Sequence, residues 1–193
     1  MKTKLLGYVV TLLIVAQLLL VLLSWLLSSM MLEGVRSLLS SEAIRWFMGQ
    51  FSEILLSPLL IWLLLLAMSV GTLRQSRILS RAVNYRERMS QRFALLLLVG
   101  YVVVILLLTA VPHAILLSST GLLFPSPFSR ALVPIIAFGI WLVSVVYGFA
   151  VKTFGSFADV CQAMQKGIAW WSPLLIIYVF FMQFYESLRF VFF

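Results

Sequence analysis

The chain has 193 residues, 63% of them hydrophobic and 10% charged, with a mean hydropathy of +1.13 and a formal net charge of +8. A soluble domain carries roughly a quarter charged residues to keep a polar shell, so this composition excludes one and makes lipid the main solvent. Each helical crossing uses about 20 apolar residues, which sets six crossings near the ceiling. The only histidine is His113, the only cysteine Cys161, the only asparagine Asn84 and the only aspartate Asp159. One copy of the chain therefore cannot assemble the usual metal or triad constellations. We expect no enzyme, no metal site, no cofactor and no internal disulfide. The basic residues flank apolar spans, where the positive-inside bias puts them, so the partner they indicate is the bilayer and not nucleic acid.

The first apolar span, about Leu5 to Met30, follows Lys2 and Lys4. It is too long for the apolar region of a signal peptide and lacks a small-residue cleavage site, so it should stay as a transmembrane helix. Next, Leu32, Val35, Leu38, Leu39, Ile44, Phe47, Met48 and Phe51 recur at spacings of three and four around charged residues. This is an amphipathic helix or a broken pair, restarting at Ser40 or Ser41 as cap. The second span, about Ile54 to Leu73, opens with Ser57-Pro58, where a missing N–H costs least. A basic segment follows, then a third span from about Phe93 to Leu117 with Pro112 near its exit, and a fourth from about Ala131 to Val151. A second amphipathic stretch, with Phe157, Val160, Cys161, Met164, Ile168 and Trp171 as its stripe, leads to a fifth span from about Pro173 onward. Both amphipathic stretches read as interfacial helices lying flat on the bilayer, with re-entrant elements as the alternative. Cys161 is expected to pack within its stripe.

Charge gives the orientation. From Arg74 to Arg92 the segment carries Arg74, Arg77, Arg81, Arg86, Arg88 and Arg92 against Glu87 alone, a net +5, which marks it cytoplasmic. The first connection carries Glu33, Glu42 and Glu53 against Arg36 and Arg45, a net −1, and suits the opposite side. The N-terminus is then cytoplasmic, Arg130 outside, Lys152 and Lys166 inside, and the C-terminus outside. A bacterial inner membrane is the expected location.

Ser57-Pro58-Leu59-Leu60-Ile61 recurs as Ser172-Pro173-Leu174-Leu175-Ile176. The same shift aligns Ser41 with Ser156, Ala43 with Ala158 and Gln50 with Gln165. Span, amphipathic helix, Ser-Pro and span thus occur on both sides of a lone third helix, in opposite membrane orientations. The expected fold is an all-α polytopic membrane protein, one membrane domain of residues 1–193. It has five transmembrane helices, two amphipathic helices and a possible inverted-topology repeat: unit one about 5–73, basic loop 74–92, linking helix 93–117, unit two about 131–193. Inverted repeats are a transporter device, although a paired scaffold also packs well.

A family resemblance rests on two stretches. Ser37-Leu38-Leu39-Ser40-Ser41-Glu42-Ala43-Ile44-Arg45-Trp46-Phe47, with Ser57-Pro58-Leu59-Leu60 and the run to Ser69-Val70-Gly71, resembles the N-terminal region of the p-aminobenzoyl-glutamate transporter (AbgT) family. Ala163-Met164 through Trp171-Ser172-Pro173-Leu174-Leu175 to Phe181-Met182-Gln183-Phe184 resembles a segment near that family's C-terminal end. The resemblance implies an inverted-repeat carrier whose substrate and coupling ion meet at re-entrant hairpins with polar tips. Here Asn84 is in the basic loop and Asp159 is outside the spans, and no segment reads as such a tip. The implied protein is a shortened relative that keeps the frame and lacks the recognisable transport core.

Few polar groups remain inside the spans. Gln17 and Gln183 sit near the middle of spans one and five, where an amide needs a partner because an unpaired polar group in hydrocarbon costs several kcal/mol. They can contact substrate or join helices. Glu186 is an ionisable group at depth, a proton-carrier candidate by default, although Arg189 at i+3 can pair with it. Together with Ser57 and Ser172 these are the substrate-binding candidates. The six arginines of the basic segment are candidates for lipid headgroups or an acidic partner. His113 reads as an interfacial histidine, and Ser144 with Gly148 as a close-approach pair. The function expected is transporter-like, moving or helping to move a small organic anion; the alternative is a non-transporting scaffold or accessory subunit. Five helices hardly enclose a pathway, so a homo-oligomer or a larger membrane partner is expected.

Overall fold

A computed structural model of the protein describes residues 2–30, 34–80, 84–110 and 127–192. Among the described residues the regular structure is six helices: α1 (Lys2–Ser29), α2 (Ser41–Leu55), α3 (Pro58–Ser76), α4 (Tyr85–Ala110), α5 (Pro127–Val151) and α6 (Phe157–Phe192). Among the described residues no strand forms, as expected where lipid leaves each backbone group to be satisfied within its own helix. Among the described residues five stretches are long and apolar enough to cross a membrane: Lys4–Ser29, Ser41–Ser76, Tyr85–Thr109, Ala131–Val151 and Phe157–Phe192. The third span therefore begins upstream of Phe93, and its expected end, with Pro112, His113 and Leu117, lies outside the described residues.

Local chemistry sets the helix boundaries. Ser40, in extended backbone, caps α2 by accepting a hydrogen bond from the Ala43 N–H at 3.1 Å. α2 ends at Leu55, so Ile54 and Leu55 belong to it, and the apolar stretch Ser41–Ser76 is two helices, with Pro58 the first residue of α3. The second Ser-Pro behaves differently. Pro173 lies inside α6, which runs unbroken through 36 residues, so the second amphipathic stretch and the fifth span are one helix. The basic segment is mostly helix: Arg74 closes α3, while Arg86, Arg88 and Arg92 open α4. Arg77 turns the chain with φ +58°, and Arg81 lies outside the described residues.

The chain divides into two compact units, Met1–Ile61 with Trp171–Phe193, and Trp62–Trp170. Within the first, α2 runs antiparallel to the C-terminal part of α6. Trp46 stacks on Phe190 with ring centroids 4.5 Å apart, and nine residues further along α2 the Leu55 carbonyl meets the Tyr178 hydroxyl at 3.0 Å. α2 thus follows the C-terminal part of α6 lengthwise. Tyr178 OH also lies 2.6 Å from Ser57 Oγ, so one hydroxyl serves a helix-end carbonyl and the break that follows it.

Within the second unit, α3 meets the N-terminal part of α6 at Gly71 and Gly167. A Cβ on Gly71 would run into the Ala163 carbonyl oxygen and, at 2.7 Å, the Gly167 Cα; a Cβ on Gly167 would run into the Ala67 carbonyl oxygen. Both helices carry the same Ala-xxx-Gly pattern, the spacing that lets membrane helices touch backbone to backbone. α4 packs on α5, where the Tyr101 hydroxyl donates to the Ile135 carbonyl at 2.8 Å and its ring lies over Gly139. Ser69 Oγ donates to the Ala137 carbonyl at 2.7 Å, tying α3 to α5.

The amphipathic stripes mark the packed faces only in part: Val160 belongs to a buried cluster against which Met164 packs, while other members face outward. Cys161 is exposed, as are Phe157 and Met48, while Ala43, Val160, Ala163 and Gly167 are buried. In lipid the large apolar side chains can face acyl chains without cost, and small residues are selected where backbones approach. Gly148 likewise meets the Phe154 ring of the turn after α5, so its smallness serves a loop and not a helix crossing.

Candidate functional site

A cavity of about 350 Å³ with three polar side chains in its lining belongs to the first unit. α1 contributes Gln17 and Val21, and α6 contributes Gln183 and Ser187. α2 contributes Ala43, Ile44, Phe47 and Met48, and the preceding connection adds Leu38. Leu38 is fixed by its N–H donating to the buried Ser24 Oγ at 3.1 Å, which pins the connection to α1. At the far end the Arg36 N–H donates to the Val191 carbonyl at 3.0 Å, and the Arg36 guanidinium lies 5.8 Å above the Phe190 ring.

Two amides that the sequence placed at mid-span therefore line one space. Gln17 Nε2 donates to Ser187 Oγ at 2.9 Å, joining α1 to α6. Gln17 Oε1 is buried and accepts no hydrogen bond among the described residues. In a site of low dielectric such an acceptor retains its full demand for a donor. Ser187 is 1% exposed and shielded from lipid, yet its position was not legible as a site residue. The signal was its i+4 spacing from Gln183, which puts both on one helix face.

The other candidates go elsewhere. Ser57 is engaged by Tyr178, and Ser172 is on an exposed part of α6. Glu186 Oε1 lies 3.8 Å from Arg189 Nη1; the glutamate side chain is 21% exposed and the arginine 67%. Neither lines the cavity. Of the arginines, Arg74 lies 5.1 Å above the Trp170 ring and Arg86 Nε donates to the Ala150 carbonyl at 3.0 Å, near the C-terminal end of α5. Arg77, Arg88 and Arg92 are exposed.

Cavities of mainly apolar lining lie in the second unit. One of about 280 Å³ lies between α4 and α5, beside Tyr101 and Gly139. The other, of about 300 Å³, is bounded by Met68, Ser69, Ala137, Trp141 and Met164. Met68 stands at the register that Gln183 occupies under the shift relating Ser57 to Ser172, so one register carries an amide in one unit and a thioether in the other.

A model of the AbgT transporter family matches residues 69–190, more than half of the chain. The match contains the resembling stretch from Ala163 to Phe184 and opens at Ser69, so α1 and α2 precede it. No curated protein and no solved structure matches the chain. With five spans and more than half its length within the family pattern, the chain is an integral membrane protein that belongs to the AbgT transporter family.

Proposed function

We propose that the protein moves, or helps to move, a small organic anion across the membrane, with the cavity of the first unit as its solute site. The observation that carries this reading is the antiparallel pairing found twice: α2 with the C-terminal part of α6, and α3 with its N-terminal part. Two such pairs, built from stretches that repeat in sequence, are what an inverted repeat supplies to a carrier. In this reading the N-terminus is cytoplasmic and the C-terminus outside in a bacterial inner membrane, and the arginines of α3 and α4 meet anionic headgroups. Assembly with further copies or a larger membrane chain completes the pathway.

The competing reading is a membrane scaffold or accessory subunit. It is favoured by the thin polar chemistry of the spans, in which the cavity presents two amides and a hydroxyl. Reconstitution into vesicles separates the two. Uptake of labelled small aromatic carboxylates, p-aminobenzoyl-glutamate among them, should exceed that of protein-free vesicles by at least about tenfold. Vesicles that stay as impermeable as controls to the whole panel would establish the scaffold.

A further inference from the structure

We propose that the outward face of α2, from Glu42 to Glu53, is a docking surface for the same face of a second copy of this chain. The inference goes beyond the transport reading, because two copies can pair whether or not a solute passes.

Within the first unit α2 is two-sided. Ala43 and Ile54 are buried, and Ala43 and Phe47 line one space with Gln17, which sits near the middle of the 28-residue α1. The opposite side carries Glu42, Arg45, Gly49, Ser52 and Glu53, whose spacing puts them on one helix face, and all five are exposed. Among the described residues none of Glu42, Arg45 and Glu53 takes part in an ion pair. α1 is long and apolar enough to cross a membrane, so this face lies at a level where lipid would surround it. Charged groups at such depth face protein or a water-filled space, since acyl chains offer neither partner nor hydration.

The pattern of charge selects the occupant. With 3.6 residues per turn, Glu42 and Glu53 fall on one side of the line through Gly49, and Arg45 and Ser52 fall on the other. α2 runs along the C-terminal part of α6, which belongs to a candidate span. Two copies inserted the same way round are related by a two-fold axis along the membrane normal, which leaves their α2 helices parallel and turns the acidic side of each toward the basic side of the other. Glu42 of one copy then meets Arg45 of the other, and the contact occurs twice. Long side chains on a helix lean toward its N-terminus, the direction in which Glu42 lies. Glu53 falls opposite the short side chain of Ser52. At the centre, a Cβ added to Gly49 would meet nothing within 4 Å, which leaves room for a second backbone to approach as small residues permit in membrane helix pairs. An anionic headgroup would suit Arg45 but would be repelled by the two carboxylates beside it.

The test uses the purified full chain in two dye-labelled forms, reconstituted into phosphatidylcholine vesicles at falling protein-to-lipid ratio, with energy transfer reporting association. The unmodified chain should self-associate. Glu42→Arg makes both positions basic and Arg45→Glu makes both acidic, so each single variant should self-associate about tenfold more weakly. Mixed with each other, the two variants should pair as well as the unmodified chain, because every contact across the axis then joins opposite charges, and that recovery shows both to be folded. Cross-linking supplies a second measurement. In a chain carrying Cys161→Ser, Gly49→Cys should form a disulfide-linked dimer on oxidation, and Met48→Cys, to the side of the face, should do so about tenfold more slowly. An unmodified chain that stays monomeric, single variants that associate as the unmodified chain does, a mixture that does not pair, or equal cross-linking at the two positions would each overturn the proposal. Pairing in vesicles that transport nothing would uphold the surface while removing the transport reading, and uptake by a chain that stays monomeric would do the reverse.

Discussion

The two units use the same pairing for different ends. In the second, α3 and the N-terminal part of α6 meet backbone to backbone at Gly71 and Gly167, and the neighbouring cavity is lined by Met68, Trp141 and Met164. In the first, the positions related to that glycine pair by the shift from Ser57 to Ser172 are Glu186 and Ser52. There α2 and the C-terminal part of α6 are joined by ring stacking and by hydrogen bonds to Tyr178, and the cavity between them and α1 sets two amides and a hydroxyl in a mainly apolar lining. Close approach excludes volume and fixes a crossing. Side-chain contacts leave space. One unit therefore has a close backbone crossing, and the other an open packing joined through side chains.

The largest expected effect strikes the crossing. Gly167→Val forces a side chain into the Ala67 carbonyl and should lower stability by about 3 kcal/mol, at the upper end of overpacking costs. Ser52→Val at the related, exposed position should change stability by less than about 0.5 kcal/mol. Unfolding in sodium dodecyl sulfate followed by circular dichroism reads both, and equal effects would end the contrast between the units.

A middle-sized effect tests the first unit. Tyr178→Phe removes the hydroxyl that serves Leu55 O and Ser57 Oγ, and should cost about 1–2 kcal/mol in the same assay. Amide exchange should speed up at the α2–α3 break while the α3–α5 contact stays protected. A smaller effect belongs to Ser69→Ala. Its hydroxyl also reaches the Leu65 carbonyl in its own helix, so losing the bond to Ala137 should cost about 0.6 kcal/mol, typical of an interhelical bond in a membrane protein. A loss above that of Tyr178→Phe would show that polar contacts, and not the glycine crossing, hold the second unit.

Much of the frame was legible in sequence. The apolar runs located all five spans because lipid solvation imposes their length, and Ser40 announced the start of α2 because a cap is a local matter. The different fates of Pro58 and Pro173 were not legible. Both follow serine and precede leucines, yet one ends a break and the other lies within a continuous helix. The side chain that stabilises the break, Tyr178, is more than a hundred residues from it. The Gly71–Gly167 crossing was readable from two Ala-xxx-Gly repeats, but such spacings are common, and Ser144 and Gly148 carried the same signal without forming a crossing.

By itself the sequence determined solvent, span number, the repeated order of elements and the presence of two amides at mid-span. These follow from composition and local pattern, which act along the chain. Only the tertiary structure decided that Gln17 and Gln183 share one cavity, that Ser187 joins them, and that Glu186 turns to Arg189 instead. In a membrane the apolar faces carry no directional information, because lipid accepts them as readily as another helix does. Which polar groups meet is therefore settled by backbone approach and long-range hydrogen bonds, and these depend on residues far apart in the chain.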